Sequence, residues 1–512
     1  MNILYYSPSP LDSVNTAVLL DDAFCKLNEN KNVNIFFVIC KGKFVNCCDT
    51  NYEASKIRCA ECRFSNWLVF KKYTHPRLHL YSLSDFIKSN DMKKIKFSYT
   101  GINDIENIEY NNIRIGIGCV SSYVSATRNL NPKMNQTNVQ FFDRLLQSSA
   151  YITDLLNAAI KEILPAEIVL YNGRFFSFRP LYELALKENI DCRVLEYKFS
   201  NRISNIKRVE FTNALPHSIS NTTCLIKKNW DKFVDQENKE RISSQFFENR
   251  RNGITAGDKV YIANQKTGLL PADWDHQKRN FVIFNSSEDE FFSIGDEWNK
   301  YKLFNSQIEG IKYILNMTKE QSDIHIYLRM HPNLAHVKFS YANAISELLF
   351  GYGNLTIIEA NSPVSTYKLI DEAEKCIVFG SSVGIEANYW NKPVILLNAA
   401  LYINLDVAYY PNCLSEINSL LLEYLPPKPR IGALMYGLYF YGDRGIDYKY
   451  INFNINEIKL LKKRLHIPKV YEYKGLIFPY LIILTFFRII NLLSHFHFKK
   501  IQFQKIQTEI PL

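Results

Sequence analysis

The sequence predicts an α/β protein with two Rossmann-like, doubly wound domains and a C-terminal helical tail that is apolar and basic. Three observations predict this fold class. The 512 residues are about three times the usual length of one domain. Apolar residues make up 47% of the chain, enough for sizeable cores. Short apolar runs also alternate with helix-length segments in two separate stretches, which is typical of parallel sheets.

Residues 1–205 are predicted to form the N-terminal domain. Apolar runs bounded by turn residues predict strands at 3–6, 33–39, 113–119 and 168–171. Helix-length amphipathic segments lie between them, at 13–27 and 141–163. The polar stretch 206–256 follows and is predicted to be a linker or a solvated helical bridge.

Residues 257–425 are predicted to form a second domain with more regular alternation. Helical segments at 307–317 and 337–349 separate several of its predicted strands. The six predicted strands are VYIANQ, FVIFNSS, IHIYLRMHP, LTIIEA, CIVFGSS and PVILLN. Two such domains in tandem place a cleft between the carboxyl ends of their strands, where open α/β sheets bind ligands.

Residues 426–512 are predicted to be a helical tail. Its segment 475–487 is an uncharged run of 13 residues, shorter than the ~20 that a spanning helix needs. Three interpretations of 475–498 stay open: a helix packed on the body of the protein, a segment lying on a membrane surface, or a spanning helix, which the length disfavours. Lys499, Lys500 and Lys505 beyond it suit an anionic membrane.

Charge and cysteine content restrict the class of protein further. The net charge of +10 is compatible with an anionic substrate or a membrane surface, and no nucleic-acid-binding motif or basic stripe accompanies it. Eleven cysteines without an export-like N-terminus predict a reducing, cytoplasmic location. No cofactor or metal is predicted, and zinc at Cys47, Cys48, Cys59 and Cys62 is the alternative to loop thiols.

The segment YLRMHPN places a cation and an imidazole where a predicted strand ends. Arg329 and His331 are both donors for phosphate oxygens, and Pro332 restricts the turn. Taken alone, the motif is weak, because a lone histidine is more often a structural hydrogen-bond donor.

The segment FGSSVGIEA places hydroxyls and free backbone N–H groups where a strand enters a helix. Ser381, Ser382 and Gly384 suit a phosphate or another anion, and Glu386 suits ribose hydroxyls. The alternative is an ordinary helix N-cap in which the serines satisfy the first turn.

Together these segments resemble the capsular polysaccharide biosynthesis glycosyltransferases of bacterial surface-glycan pathways. The resemblance rests on residues 171–197, 282–290, 328–333 and 379–397 and spans about 1–425. It implies a GT-B architecture with an N-terminal acceptor domain and a C-terminal nucleotide-sugar domain. It also implies that the residues lining the donor site are Arg329, His331, Ser381, Ser382 and Glu386.

Other polar residues follow predicted strands. Gln265, Ser286 and Ser287 are candidates for phosphate contacts or for closing the cleft, with loop capping as the alternative. Arg174 is predicted to hold an anionic acceptor or the donor diphosphate, or to form a salt bridge with Glu196.

A general base is needed to deprotonate an acceptor hydroxyl. Asp12 and Glu196 are the candidates from the sequence, and His331 is the third predicted catalytic residue.

These observations predict a metal-independent glycosyltransferase. It would transfer a sugar from a nucleotide-sugar donor to a hydroxyl of a bacterial surface polysaccharide, with a lipid-linked or polysaccharide acceptor at the inner face of the cell membrane. The alternatives are a polyol-phosphate transferase of the CDP-glycerol type, a nucleotide-sugar epimerase and a non-catalytic glycan-assembly protein that retains the fold.

Overall fold

The structure is a computed structural model that describes most of residues 1–464. Excluded from the description are 11–12, 41–47, 50, 53–54, 73, 87–94, 200–205, 255–259, 333, 335–344, 346, 349–350, 443–444, 455–456, 461–462 and 465–512. Within the described part, no helix is long and apolar enough to cross a membrane. The segment 475–498, on which the predicted membrane contact depends, lies outside the described residues.

The N-terminal domain is built on a twisted sheet whose first five strands are parallel. Its spatial strand order is β6–β5–β4–β1–β2–β3, with β6 antiparallel to β5. The elements are β1 (Asn2–Ser7), α1 (Val14–Glu29), β2 (Asn34–Ile39), α2 (Lys56–Lys72), β3 (Leu78–Ser82), α3 (Ile102–Glu106), α4 (Ile115–Thr127), α5 (Gln136–Ile163), β4 (Glu167–Tyr171), α6 (Arg179–Lys187), β5 (Asp191–Phe199) and β6 (Ile206–Thr212).

Two helices then lead to the C-terminal domain, whose five strands are all parallel. The spatial order is β11–β10–β7–β8–β9. The elements are α7 (Ile219–Lys232), α8 (Gln236–Arg251), β7 (Arg279–Phe284), α9 (Asp296–Lys300), α10 (Gln307–Thr318), β8 (Ile324–Arg329), β9 (Leu355–Ile358), α11 (Thr366–Glu372), β10 (Lys375–Val378), α12 (Val383–Tyr389), β11 (Val394–Leu396) and α13 (Leu414–Leu422).

The parallel strands of both sheets share one order, 3-2-1-4-5 counted within each domain. In such a sheet the chain winds in opposite directions from the first strand, and a crevice opens where the order reverses. The crevice lies between β1 and β4 in the N-terminal domain and between β7 and β10 in the C-terminal domain. The predicted fold class of two Rossmann-like domains is confirmed.

The chain returns to the N-terminal domain after α13. Helix α14 (Ile431–Tyr441) packs on α8 and α7. Strand β12 (Ile446–Asp447) then pairs with β6, and a small antiparallel sheet follows, made of β13 (Ile451–Asn454), β14 (Glu457–Leu460) and β15 (Lys463–Arg464). The predicted boundary at 206 therefore falls inside the β5–β6 hairpin, and the start of the predicted tail belongs to the folded body.

Two predicted strands are wrong. Residues 113–119 mostly belong to helix α4, which is buried on nearly all sides, and an all-apolar helix cannot be told from a strand by periodicity. A Cβ atom on Gly116 would lie 1.8 Å from the carbonyl oxygen of Ile105, so this helix packs at backbone distance. The VYIANQ run forms turns instead of a strand, and its Ile262 packs on the core of the C-terminal domain.

The start of β10 holds a buried lysine that caps a helix. The Lys375 ammonium donates to the carbonyl oxygens of Leu420, Leu421 and Glu423 at 3.1, 2.6 and 2.5 Å, at the end of α13. Replacing Lys375 with methionine is expected to lower the free energy of unfolding by about 1–3 kcal/mol, because those carbonyls lose a charged donor. Denaturant unfolding measures the loss. The exposed Lys312→Met is the control, and an equal loss in both variants would contradict the capping role.

Candidate functional site

The crevice of the C-terminal domain is held together by hydrogen bonds between the loops that follow β7 and β10. The Ser286 hydroxyl donates to the carbonyl oxygen of Phe379 at 2.7 Å, and its N–H donates to Gln307 Oε1 at 2.8 Å. Gly380 follows with a φ of 91°, and a Cβ there would lie 2.5 Å from the Ala399 carbonyl oxygen. Only glycine fits this position. Ser286 thus shapes the crevice, and its predicted phosphate contact stays a prediction.

His331 lies at the carboxyl end of β8, beside the same crevice. Its backbone N–H donates to Asn285 Oδ1 at 2.7 Å, and its ring meets the Tyr261 ring edge-on at 5.3 Å between centroids. Burial is the main cause that lowers the pKa of His331, to about 4. The imidazole is therefore neutral at pH 7 and offers one N–H donor and one acceptor.

Arg329 is buried at the last position of β8, with 3% of its surface exposed. Its Nη1 and Nη2 donate to the carbonyl oxygens of Glu359 and Ser362 at 2.7 and 3.2 Å. Burial lowers the pKa of this guanidinium to about 10, so it keeps its charge at pH 7. Its Nε has no hydrogen-bond partner within the described part of the chain. Arg329 therefore supplies a fixed positive charge close to His331.

The C-terminal end of α8 packs against the start of α12. Ser381 Oγ accepts the N–H of Val383 at 3.3 Å, as in an N-cap, and Ser382 Oγ accepts from Arg250 at 3.5 Å. Gly384 leaves room for the Tyr402 hydroxyl, which would lie 2.4 Å from a Cβ atom. The three residues line this turn, and their predicted role toward an anion stays a prediction.

Glu386 is buried one turn into α12, where its carboxylate already has two partners. Arg250 Nη2 lies 3.1 Å from Oε1, and the Tyr367 hydroxyl donates to Oε2 at 2.5 Å. This arrangement fixes the helix on α8 and α11. The sequence prediction that Glu386 binds ribose stays a prediction, and Arg250, which the sequence analysis placed in a linker, is its ion-pair partner.

Two more predicted residues hold loops in place. Gln265 accepts the N–H of Thr366 at 2.7 Å and donates to its hydroxyl at 3.0 Å, so it caps α11. The Ser287 hydroxyl donates to Asp289 Oδ1 at 2.5 Å. Both contacts agree with the loop-capping alternative, and phosphate contacts from these residues stay predictions.

Arg174 lies at the crevice of the N-terminal domain, directly after β4, and reaches across to the C-terminal domain. Its Nη1 donates to the Glu290 carbonyl oxygen at 2.8 Å, and its Nη2 donates to those of Phe292 at 2.9 Å and Asp289 at 3.4 Å. Its Nε donates to Ser121 Oγ. Burial lowers the pKa of Arg174 to about 10. The guanidinium thus ties the β4 loop to the segment that follows β7.

Three other arginines of the N-terminal domain contact the same segment, which we name the 289–296 segment. Arg114 pairs with Asp296 at 2.7 Å, and Arg179 Nη1 donates to the Ile294 carbonyl oxygen at 3.2 Å. Arg128 pairs with Asp289 Oδ2. The loops of the two crevices are therefore held next to each other by arginine side chains of the N-terminal domain.

Of the two general bases predicted from the sequence, Asp12 and Glu196, the structure describes only Glu196. Asp12 lies outside the described residues. Glu196 lies within β5, where it accepts a hydrogen bond from Asn172 in the loop after β4, and burial raises its pKa to about 7. The alternative of an Arg174–Glu196 salt bridge is replaced by these contacts, because Arg174 points to the other domain. Both base assignments stay predictions.

Asp49 is a candidate that the sequence analysis missed. Its carboxylate accepts hydrogen bonds from Ser122 at 3.0 Å, from Tyr52 at 3.2 Å and from Ser177. Burial raises its pKa to about 6. Ser122 follows Ser121, the Nε partner of Arg174, on helix α4. The contacts of Asp49 and of Arg174 are therefore adjacent. No local motif marks it, because its partners come from α4 and from the loop after β4.

The cysteine cluster gives no further support for a metal centre. Within the described ranges, no three His, Cys, Asp or Glu side chains lie close enough to hold a metal ion. Cys47 lies outside the described residues, and Cys59 Sγ accepts from Asn51 Nδ2 at 3.3 Å. A zinc site that needs Cys47 stays a prediction.

Comparison with known proteins gives distant likenesses. No protein-family model and no curated protein matches the chain. Similar solved structures include the beta Kdo 2,4 transferase KpsC of Thermosulfurimonas dismutans, at 10% identity and a TM-score of 0.33, over 53% of this chain and 79% of that chain. The beta Kdo 2,7 transferase KpsC of that organism is similar at 14% identity and a TM-score of 0.30, over 56% and 88%.

A third similar structure is the UDP-GlcNAc 2-epimerase of Neisseria meningitidis, bound to UDP-GlcNAc. It matches at 11% identity and a TM-score of 0.23, over 86% of this chain and 97% of that chain. With such low identities and TM-scores, the fold assignment depends on the strand order of the two sheets.

Proposed function

We propose that this protein is a glycosyltransferase that binds a nucleotide-sugar donor in the C-terminal crevice and an acceptor hydroxyl on the N-terminal side of the cleft. One observation carries the proposal. Arg174, at the crevice of the first sheet, bonds to the segment that directly follows the crevice loop of the second sheet. Two ligand-binding edges that face each other suit the transfer of a group from one substrate to another.

The donor side of this proposal rests on Arg329 and His331. Charge develops on the leaving phosphate in the transition state, and a fixed cation in a buried site stabilises it more strongly than in water. Arg329 supplies that cation, and the neutral His331 supplies an N–H donor at the crevice. The sequence resemblance to capsular polysaccharide glycosyltransferases supports the same assignment. In this mechanism no step needs a metal ion.

On the acceptor side we assign the general base to Asp49. A base must be ionised at the working pH and yet hold a proton well, so a pKa near neutrality is most effective. Asp49, with a pKa raised to about 6, meets this requirement. It would accept the proton of the acceptor hydroxyl while the acceptor oxygen bonds to the anomeric carbon and the bond from that carbon to the donor phosphate breaks, releasing the nucleotide.

We place the acceptor among lipid-linked or polysaccharide glycans at the cytoplasmic face of the cell membrane. The net charge of +10 supports this location, as does the apolar and basic sequence of 475–505. Both are sequence arguments, and they bear on where the enzyme works and not on its chemistry.

The donor site is tested by a thermal-shift panel of UDP, GDP, CMP, CDP, their sugar conjugates and cytidine diphosphate glycerol. A ligand at a hundred times its Kd is expected to stabilise the native domain by about 2.7 kcal/mol. We expect one nucleotide family to stabilise the wild type and to lose this effect in His331→Ala. The control is His325→Ala, because His325 lies at the other end of β8 and bonds to Thr356.

The outcomes discriminate between the functions. Stabilisation by cytidine diphosphate glycerol alone would indicate polyol-phosphate transfer. If no nucleotide shifts the melting temperature, the proposal of an enzyme is wrong and a non-catalytic glycan-assembly protein is the better interpretation.

A further inference from the structure

The exposed face of α7 forms an open groove of about 690 Å³ with the loop that follows β11. The donors that line it are Ser220, Thr223, Lys227, Lys228, Lys232 and Asn404. This groove lies outside both crevices, and none of the reaction steps above uses it. Its volume is within the range of small-molecule sites in proteins.

The groove is strongly cationic. Lys227, Lys228 and Lys232 are exposed, and among the described residues none of them forms an ion pair. Among the described residues that line the groove, Asp231 is the one carboxylate. Three ammonium groups against one carboxylate leave an uncompensated positive charge, and the amide of Asn404 and the hydroxyl of Ser220 add neutral hydrogen-bonding groups.

Contacts at the buried face of α7 and at its first turn hold the helix, and with it the groove, in place. The opposite face of α7 is buried, with Ile226 fully enclosed in the core. The Glu297 carboxylate accepts the N–H groups of Ile219 and Ser220 at 2.8 and 3.2 Å and so holds the first turn. The lysines therefore project from a helix whose backbone is held in place by these contacts.

We propose that the α7 groove binds a phosphate-bearing group. Lysine ammonium groups bind phosphate as point charges, and several of them converging on one groove suit a multiply charged oxyanion. Such a group is carried both by phospholipid headgroups and by soluble phosphate compounds, and the experiment separates these two sources.

The test compares two triple variants that remove the same charge. The groove variant carries Lys227→Gln, Lys228→Gln and Lys232→Gln. The control variant carries substitutions at exposed lysines elsewhere, Lys133→Gln, Lys161→Gln and Lys312→Gln. Both variants are made in the full chain with His331→Ala, so that the donor crevice contributes little to binding.

The soluble probe is inorganic pyrophosphate, and its binding is measured by calorimetry. The lipid probe is a vesicle of phosphatidylglycerol in phosphatidylcholine, and its binding is measured by co-sedimentation.

We expect one probe to bind and its affinity to fall roughly a hundredfold in the groove variant, since each lysine near an anionic surface contributes several-fold. The control variant should bind as the parent does, and salt should weaken binding. The proposal is overturned if neither probe binds better than pure phosphatidylcholine vesicles or buffer, or if both triple variants bind equally. Nucleotide stabilisation of the groove variant without His331→Ala reports separately on the proposed function.

Discussion

Replacing Arg174 with alanine is expected to loosen the two domains and to lower the free energy of unfolding by about 2–6 kcal/mol. The substitution leaves the carbonyl oxygens of Glu290 and Phe292 without their donor in a buried interface. A buried acceptor without a partner costs about 1–3 kcal/mol, and two such acceptors give the expected range. Denaturant unfolding measures the loss, and hydrogen exchange of the 289–296 segment shows whether the contact between the domains has opened.

Arg114→Ala is the matched control for this prediction. Arg114 also joins the N-terminal domain to the 289–296 segment, but its side chain is 33% exposed and its partner Asp296 is 74% exposed. A pair that is open to solvent contributes about 0–1 kcal/mol. If the two variants lose equal stability, or if the exchange of the 289–296 segment is unchanged in Arg174→Ala, Arg174 does not hold the domains together.

The strands at the centre of each sheet were predictable because burial on both faces makes them continuous apolar runs. β1, β4, β7 and β10 have this character. Strands at the margins of the N-terminal sheet were not predictable in this way. β6 alternates Lys207, Arg208 and Glu210 with apolar residues at a sheet margin, and β12 has only two residues. The return of the chain to the first domain depends on that short pairing, so the boundary of the tail was misplaced.

The site was predictable only where its residues adjoin a strand end in the sequence. Arg329 ends β8, His331 follows that strand and Ser286 follows β7, so the rule that ligands bind at carboxyl ends located them. Asp49 and Arg250 are different, because their partners come from distant elements. Asp49 needs Ser122 and Ser177 to hold it. Arg250 on α8 reaches Glu386 on α12 across 136 positions of the sequence. Only the tertiary structure brings such groups together.

The substitution Asp49→Asn is expected to lower kcat by about 10²–10⁴, the contribution of a positioned general base. The rate to measure is nucleotide release from the donor that the thermal-shift panel identifies, with membranes as the source of acceptor. In the wild type, the rate should rise with pH through about 6, the pKa to which burial raises the Asp49 carboxyl, because the base must be ionised. The Asn variant should lack this dependence.

Stability separates this catalytic role from a structural one. The folded-state pKa of Asp49 is raised above its unfolded value, so ionisation of the carboxyl costs stability once the pH rises through about 6. At pH 7 the uncharged asparagine removes that cost, and Asp49→Asn should melt at the same temperature as the wild type or higher while losing activity. Glu196→Gln is the matched comparison, since burial raises the pKa of Glu196 to about 7. If Glu196→Gln abolishes the rate and Asp49→Asn does not, the base is Glu196 and the acceptor hydroxyl lies beside β5.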